Sequence, residues 1–235
     1  MKVVAIIVAA GSGKRMGRAA KKQFLSIGSK PILAYTLDVF DSVGKVDRII
    51  LVIPGGWKRY CQKEIIEKFG YRKEIEVTNG GARRQDSVAC GLALVSADYE
   101  IVIIHDGVRP FVTRKMIIES IAKARKFGAC VAAVPVSDTI KMAKSNGVIE
   151  RTLSREYLWR VQTPQTFRLS LIKKAYAKAL KDRFYGTDDA QLVERINRPV
   201  KVISGDYRNI KITTKEDLIL AERILSLGPR KCKYR

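Results

Sequence analysis

The chain has little of several things that usually announce a function. Its four cysteines (Cys61, Cys90, Cys130 and Cys232) stand far apart with no C-x-x-C pair, and there is a single histidine, so no zinc spacing is present and the thiols read as reduced. Aromatic residues make up 8% of the chain and form no stacking-rich stretch interleaved with cations, which argues against a stacking platform for nucleic acid. No apolar run is long enough to span a bilayer, and no secretory n-region precedes an apolar h-region. The amino terminus reads as a first strand, and a cytoplasmic protein with no membrane partner is expected. With no Pro/Gly/Ser-rich linker and no internal repeat, residues 1–235 read as one domain ending in a basic tail at 228–235. Acidic residues are also scarce: 45 Lys and Arg against 23 Asp and Glu leave a net charge of +22, which attracts polyanions without specifying one.

What is there begins with VVAIIVAAGSGKRMGRAAKKQF, residues 3–24. The β-branched run Val3 to Val8 reads as a central parallel strand opening into Ala9, Ala10, Gly11, Ser12 and Gly13. Small residues there expose consecutive backbone N–H groups, an anion-binding nest, and Lys14, Arg15, Lys21 and Lys22 add charge suited to phosphate. Two familiar phosphate loops do not fit. A Walker A loop requires Gly and Ser/Thr where Val8 and Arg15 stand, and Gly11, Gly13 and Gly17 are spaced one residue too widely for a dinucleotide fingerprint.

Strand-like runs at residues 3–8, 48–53, 74–78, 101–105, 129–136 and 200–203 alternate with helical patterns, which predicts a parallel α/β sheet. Helical spacing is read in Ile32 to Phe40 after Pro31, Cys61 to Phe69 before Gly70, Ile117 to Ala124 before Gly128, and Leu218 to Leu225. Ser137 to Tyr157 breaks the alternation with polar residues and a Ser145-Asn146-Gly147 turn, so it predicts a projecting β-hairpin. Such an arm cannot bury its apolar residues alone, and twofold pairing with a second copy is the commonest solution.

Further clusters fall at predicted strand ends, where open α/β sheets place ligands. Residues 79–87, NGGARRQDS, supply glycine donors at Gly80 and Gly81, guanidinium groups at Arg83 and Arg84, and the Ser87 hydroxyl at the start of a helix. HDGVRP, residues 105–110, places Asp106 just beyond an apolar strand, where a carboxylate holds Mg²⁺ or sugar hydroxyls, with Arg109 close by. His105 invites a catalytic-base reading, although a histidine beside a buried strand more often serves packing. Thr139 and Arg155 on the arm, and Lys211 inside the apolar segment NIKIT, are polar groups with no obvious structural duty.

Taken in order, VAAGSGKRMG, KKQF, GGARRQDSV, HDGVRPF, VSDTIK, TLSREYLW, QTPQTF, TDDAQLVE and NIKITTKEDL resemble the 2-C-methyl-D-erythritol 4-phosphate cytidylyltransferases of non-mevalonate isoprenoid synthesis over nearly the whole chain. The resemblance implies a Rossmann-like, mostly parallel sheet flanked by helices, with a β-arm at 137–157 used in dimerisation. It implies cytidylyl transfer from CTP to methylerythritol phosphate with release of pyrophosphate and with Mg²⁺ on the triphosphate. By the same resemblance Arg15 and Lys22 stabilise charge at the α-phosphate, and Ala9, Ala10, Gly11, Ser12, Gly13, Gly80, Gly81, Arg84 and Ser87 hold the nucleotide. Asp106 lies beside ribose, metal and substrate. Lys211 and Arg109, with Thr139 and Arg155 from the neighbouring subunit, bind methylerythritol phosphate. This chain departs from the family pattern at Lys21, Ala82 and Gly107-Val108.

Alternatives stay open at this point. A ribitol-5-phosphate cytidylyltransferase shares the fold and the CTP site, and Ser87 and Arg155 favour methylerythritol phosphate over it without deciding. A related enzyme using UTP or GTP, and a basic nucleic-acid-binding protein, are the remaining readings, and no specific nucleic acid is expected.

Overall fold

The computed structural model describes residues 2–11 and 21–228. The chain opens with β1 (Lys2–Val8), in which Val3 to Ile7 are fully buried. The 3-10 turn Lys22–Phe24 and a small ribbon of β2 (Ser26–Ile27) and β3 (Lys30–Pro31) lead to α1 (Ile32–Ser42). Next come β4 (Arg48–Ile53), a short α2 (Lys58–Tyr60) that continues as π-helix through Cys61–Glu67, β5 (Glu74–Asn79) and α3 (Arg84–Ala93). β6 (Tyr99–Asp106), α4 (Arg114–Phe127) and β7 (Ala129–Pro135) follow. Gly128 between the last two adopts φ +90° and donates its N–H to Ala124 O, a helix end that needs a residue without Cβ. After β8 (Ile140–Ala143) and β9 (Ile149–Leu153) come β10 (Trp159–Arg168), α5 (Leu169–Lys181), α6 (Asp189–Arg195), β11 (Lys201–Ser204) and α7 (Lys215–Ser226).

Seven strands form one sheet in the order β11-β7-β10-β6-β1-β4-β5. Every pairing is parallel except those of β10, which runs antiparallel to both β6 and β7. Side-chain alternation along β1 divides the core. Val3, Ala5 and Ile7 join a cluster with α1 and α4 on one face, while Val4 and Ile6 join a second with α3, α5 and α6 on the other. Each fully buried aliphatic side chain contributes on the order of 1.5–3 kcal/mol, so β1 is anchored from both faces. Its carboxyl end is thereby a rigid base for whatever follows Val8.

The predicted hairpin is present: β8 and β9 pair antiparallel with Ile140 opposite Leu153, and Gly147 turns at φ +83°. The longest strand, β10, has no counterpart among the predicted strands. Gln162, Thr163, Gln165 and Thr166 are buried there, and Pro164, after a cis peptide, falls where the pairing with β7 shifts register between Val161 and Gln165. Buried polar residues and a proline are what a central strand ordinarily lacks, so its pattern does not resemble one.

Candidate active site

The carboxyl ends of β1 and β6 and the amino end of α3 surround a pocket of about 430 Å³. Ala9, Ala10 and Gly11 supply its floor, Gly81 to Arg84 and Ser87 one wall, and Lys22, Asp106 and Lys211 the charged rim. The loop's small residues are held by the strands. Ala9 donates its N–H to Val52 O at 2.7 Å, and Gly107 donates to Val8 O at 2.9 Å.

Lys22 owes its place to its two successors. Gln23, buried, donates through Nε2 to Ala9 O and so ties the 3-10 turn to the strand end. Phe24 stacks on Trp57 with ring centroids 4.9 Å apart and packs against Tyr60 at 5.0 Å. Lys211 is placed by a similar alternation. Ile212 is fully buried and donates to Val108 O at 2.9 Å, while Asn209, also fully buried, donates through Nδ2 to Thr163 O at 2.9 Å. The lysine between them turns to Asp106, with Nζ 2.8 Å from Oδ2.

Asp106 is the electrostatic centre. Arg84 Nε donates to its Oδ1 at 3.1 Å, and Arg109 Nε lies 3.7 Å from Oδ2. Burial pushes the carboxyl up, but the charges of Arg84, Lys211 and Arg109 outweigh it and hold the group well below the usual carboxylate range. Arg84 is held above its ordinary value, because Asp189 and Asp106 together outweigh the burial that opposes its charge. The pocket therefore presents an ionised carboxylate already satisfied by cations, with Lys22 and Arg83 on the same walls. This is a field for binding anions. Arg83 stacks over the ring of Tyr185 at 3.7 Å.

Glycine at 80 and 81 is a packing requirement. A Cβ on Gly80 would stand 2.4 Å from Ala10 Cβ, and one on Gly81 would stand 2.4 Å from Asp86 Cβ. Gly80 is not in the pocket wall and acts by letting the loop after β1 close against α3. Ser87 lines the pocket and donates its hydroxyl to Arg83 O at 3.0 Å.

Other predicted residues lie elsewhere. Arg109 does not line the pocket; its Nη1 donates to Asn209 O at 2.8 Å, which steadies the Lys211 segment. Thr139 and Arg155 are exposed on the arm and do not line the pocket of their own chain, and Arg155 Nη1 donates to Ser137 O at 2.8 Å. Ser12, Gly13 and Arg15 lie outside the described residues.

His105 is fully buried, and its partners define its state. Nε2 faces the carbonyl of Arg109 at 3.2 Å, so it must carry the proton. Nδ1 accepts from the Thr163 hydroxyl at 3.0 Å, and that hydroxyl oxygen accepts from the Asp106 N–H at 3.1 Å. Burial lowers the ring's pKa to about 3, so it is neutral, ties β10 to β6, and does not serve as a base. Residues that sequence reasoning missed include Gln23, Trp57, Gln165 and Tyr185, polar or aromatic groups whose duty arises only from contacts between elements.

An open α/β sheet with a cationic pocket at its strand ends, a small-residue loop after β1 and no nucleophile–base pair among the described wall residues is the framework of a nucleotidyltransferase. Comparison with known proteins gives the family. The family model described as 2-C-methyl-D-erythritol 4-phosphate cytidylyltransferase matches residues 3–227, and the chain belongs to that family. The proteins of this name from Alkaliphilus oremlandii and Caldanaerobacter subterraneus subsp. tengcongensis are 49% and 48% identical; the matches cover 95% and 96% of this chain and 95% and 99% of theirs. The crystal structure of 4-diphosphocytidyl-2C-methyl-D-erythritol synthase from Anaerococcus prevotii superposes with a TM-score of 0.86 at 38% identity, over 96% of each chain. That of the cytidylyltransferase from Thermus thermophilus gives 0.79 at 33% identity, over 96% of this chain and all of the other.

Proposed function

We propose that the protein transfers a cytidylyl group from CTP to 2-C-methyl-D-erythritol 4-phosphate, forming CDP-methylerythritol and pyrophosphate in isoprenoid precursor synthesis. The observation that carries this reading is the convergence of Lys22, Arg84 and Lys211 on one pocket whose carboxylate, Asp106, is already ion-paired. In this reaction the substrate phosphate is itself the nucleophile, so the protein's work is positioning and charge stabilisation. Backbone groups of Ala9 to Gly11 and Gly81 hold the nucleotide. Lys22 and Arg15 stabilise the charge that grows at the α-phosphate, and Lys211, aimed by Asp106, holds the polyol phosphate.

Among the described residues no three His, Cys, Asp or Glu side chains gather into a metal cage, and Asp106 is the pocket's carboxylate. One carboxylate suffices for Mg²⁺, which keeps several waters and is held mainly through substrate phosphates, and Asp106, already paired with Arg84 and Lys211, would join it only through a lone pair those cations leave open. When bound, Mg²⁺ neutralises triphosphate charge; Asp106 is the residue that would share in holding it.

A homodimer formed through the arm belongs to the same reading. Val148, Ile149 and Tyr157 on it are 57%, 59% and 77% exposed, apolar surface that a second arm would cover, and Thr139 and Arg155 would reach the partner's pocket. Among the described residues no helix is long and apolar enough to cross a membrane, and Cys61, Cys90 and Cys130 are free thiols. We place the protein in the cytoplasm on the strength of those thiols.

Pyrophosphate release measured with CTP and either methylerythritol phosphate or ribitol 5-phosphate tests the assignment. Methylerythritol phosphate is expected to be the preferred acceptor, and CTP to be preferred over UTP and GTP; a preference for ribitol phosphate overturns the substrate, and equal use of UTP overturns the base.

A further inference from the structure

Asp189 stands outside the pocket wall, yet its side-chain contacts lead into it. It opens α6 with its side chain 1% exposed. Its Oδ2 accepts from Arg84 Nη2 at 2.8 Å, and its Oδ1 accepts from the Tyr176 hydroxyl at 2.6 Å. Through its Nε the same guanidinium reaches Asp106 Oδ1, which leaves Oδ2 to Lys211 at 2.8 Å, with Arg109 Nε farther off at 3.7 Å. A continuous chain of polar contacts, Tyr176–Asp189–Arg84–Asp106–Lys211, therefore links α5, α6, α3, β6 and the segment before α7.

The neighbouring acid does different work. Asp188 caps α6 by accepting from Gln191 N at 2.9 Å, and it also accepts from Gln165 Nε2 at 2.8 Å. Gln165 Oε1 in turn accepts from the backbone N–H groups of Asp189 and Ala190, both at 3.1 Å. Asp189 is thus set in place by its own backbone, and its carboxylate is left for Arg84. A buried ion pair is weak evidence for stability, since an apolar pair would pack the same space at no desolvation cost. A planar guanidinium gripped on two edges is instead fixed in orientation. Because Arg84 holds only one oxygen of Asp106, the other is presented to Lys211, which approaches it more closely than Arg109 does.

We propose that Asp189 is a positioning residue for the transfer reaction, acting through Arg84 and Asp106 to aim Lys211 at the polyol phosphate. The proposal rests on the cytidylyltransferase reading above. Without the Asp189 charge, Arg84 turns wholly to Asp106, competes for both carboxylate oxygens and releases Lys211.

Two measurements test it. In steady-state kinetics, Asp189→Asn and Arg84→Gln are each expected to lower kcat/KM for methylerythritol phosphate about tenfold or more, with the double variant within about twofold of Arg84→Gln. Calorimetric CTP affinity is expected to change by less than about threefold in Asp189→Asn. Losses that multiply in the double variant, or a kcat/KM within twofold of the unmodified enzyme in Asp189→Asn, overturn the proposal. Tyr176→Phe removes one hydrogen bond and no charge, and decides the matter if Asp189→Asn fails to fold: a loss of about threefold is expected, and no loss overturns it. The second measurement needs no turnover. Competitive acetylation followed by mass spectrometry is expected to show Lys211 labelled at least about threefold faster in Asp189→Asn or Tyr176→Phe than in the unmodified chain, and unchanged labelling overturns the proposal. An unmodified chain that releases no pyrophosphate from CTP and methylerythritol phosphate contradicts the reaction alone, and the labelling then judges the network by itself.

Discussion

His105 on β6 and Lys22 in the turn after the β1 loop illustrate how burial divides labour. His105 is the chain's single histidine and stays neutral in the fold down to about pH 3, whereas an unfolded histidine takes up its proton near pH 6.5. Between those values the unfolded state binds more protons, so stability rises with pH and is lost on acidification by up to about 1.4 kcal/mol per pH unit. Urea unfolding at pH 7.5, 6 and 5 is expected to show that slope, with no comparable slope between pH 6 and 5 in His105→Gln; equal slopes would mean that another group is responsible. Lys22 belongs to the opposite category, a cation brought to the pocket wall by a buried neighbour. Lys22→Ala is expected to lower kcat about a hundredfold, roughly 3 kcal/mol, with a much smaller change in the KM for CTP, because in the proposed reaction its charge would interact most strongly as the α-phosphate gains negative charge in the transition state. A loss confined to CTP binding would reassign it to ground-state recognition.

Elements placed by side-chain hydrogen bonds are where packing arguments stop. Gln165 on β10, itself buried, satisfies two buried backbone donors at the start of α6 and holds the half-buried Asp188. Gln165→Leu leaves the two backbone donors without their partner and is expected to destabilise the protein by about 2–4 kcal/mol, a fall in Tm of about 10 °C. Scanning calorimetry checks this, and an unchanged Tm would show that α6 is held by its apolar contacts alone. The same case explains what was legible beforehand. β1 and β4 announced themselves because they are buried on both faces and are built of aliphatic residues. The arm was legible from its turn. β10 was hidden because its buried residues are polar and one is proline, and α5 because its buried face, Leu169, Ile172, Ala175 and Ala179, is half alanine and interleaved with lysine. Asp106 and Lys211 could be picked out as polar groups in apolar surroundings, but their ion pair is a contact between residues far apart in the chain, and the resemblance placed them in one site without giving that contact. Gln23 and Asp189 fall within the KKQF and TDDAQLVE motifs, but nothing local says what either does, since their importance lies in which partner reaches them.

At the scale of the molecule, the pocket and the arm do not meet within one chain: Thr139 and Arg155 are exposed and absent from the pocket wall, while the hairpin that carries them presents Val148, Ile149 and Tyr157 to solvent. Covering that apolar surface with a second copy would bring charged groups of one subunit to the site of the other, and it would make activity a property of the pair. Complementation follows from that geometry. Arg155→Ala and Lys22→Ala chains, each expected to be nearly inactive alone, are expected to form mixed dimers in which one site draws intact Lys22 from one chain and intact Arg155 from the other, while the second site carries both lesions. With random exchange half the dimers are mixed and each holds one working site, so the mixture is expected to recover about a quarter of the unmodified activity. Native mass spectrometry establishes that mixed dimers have formed. If they have, and activity stays at the level of the separate variants, Arg155 acts within its own chain or has no part in the reaction, and the shared site is wrong.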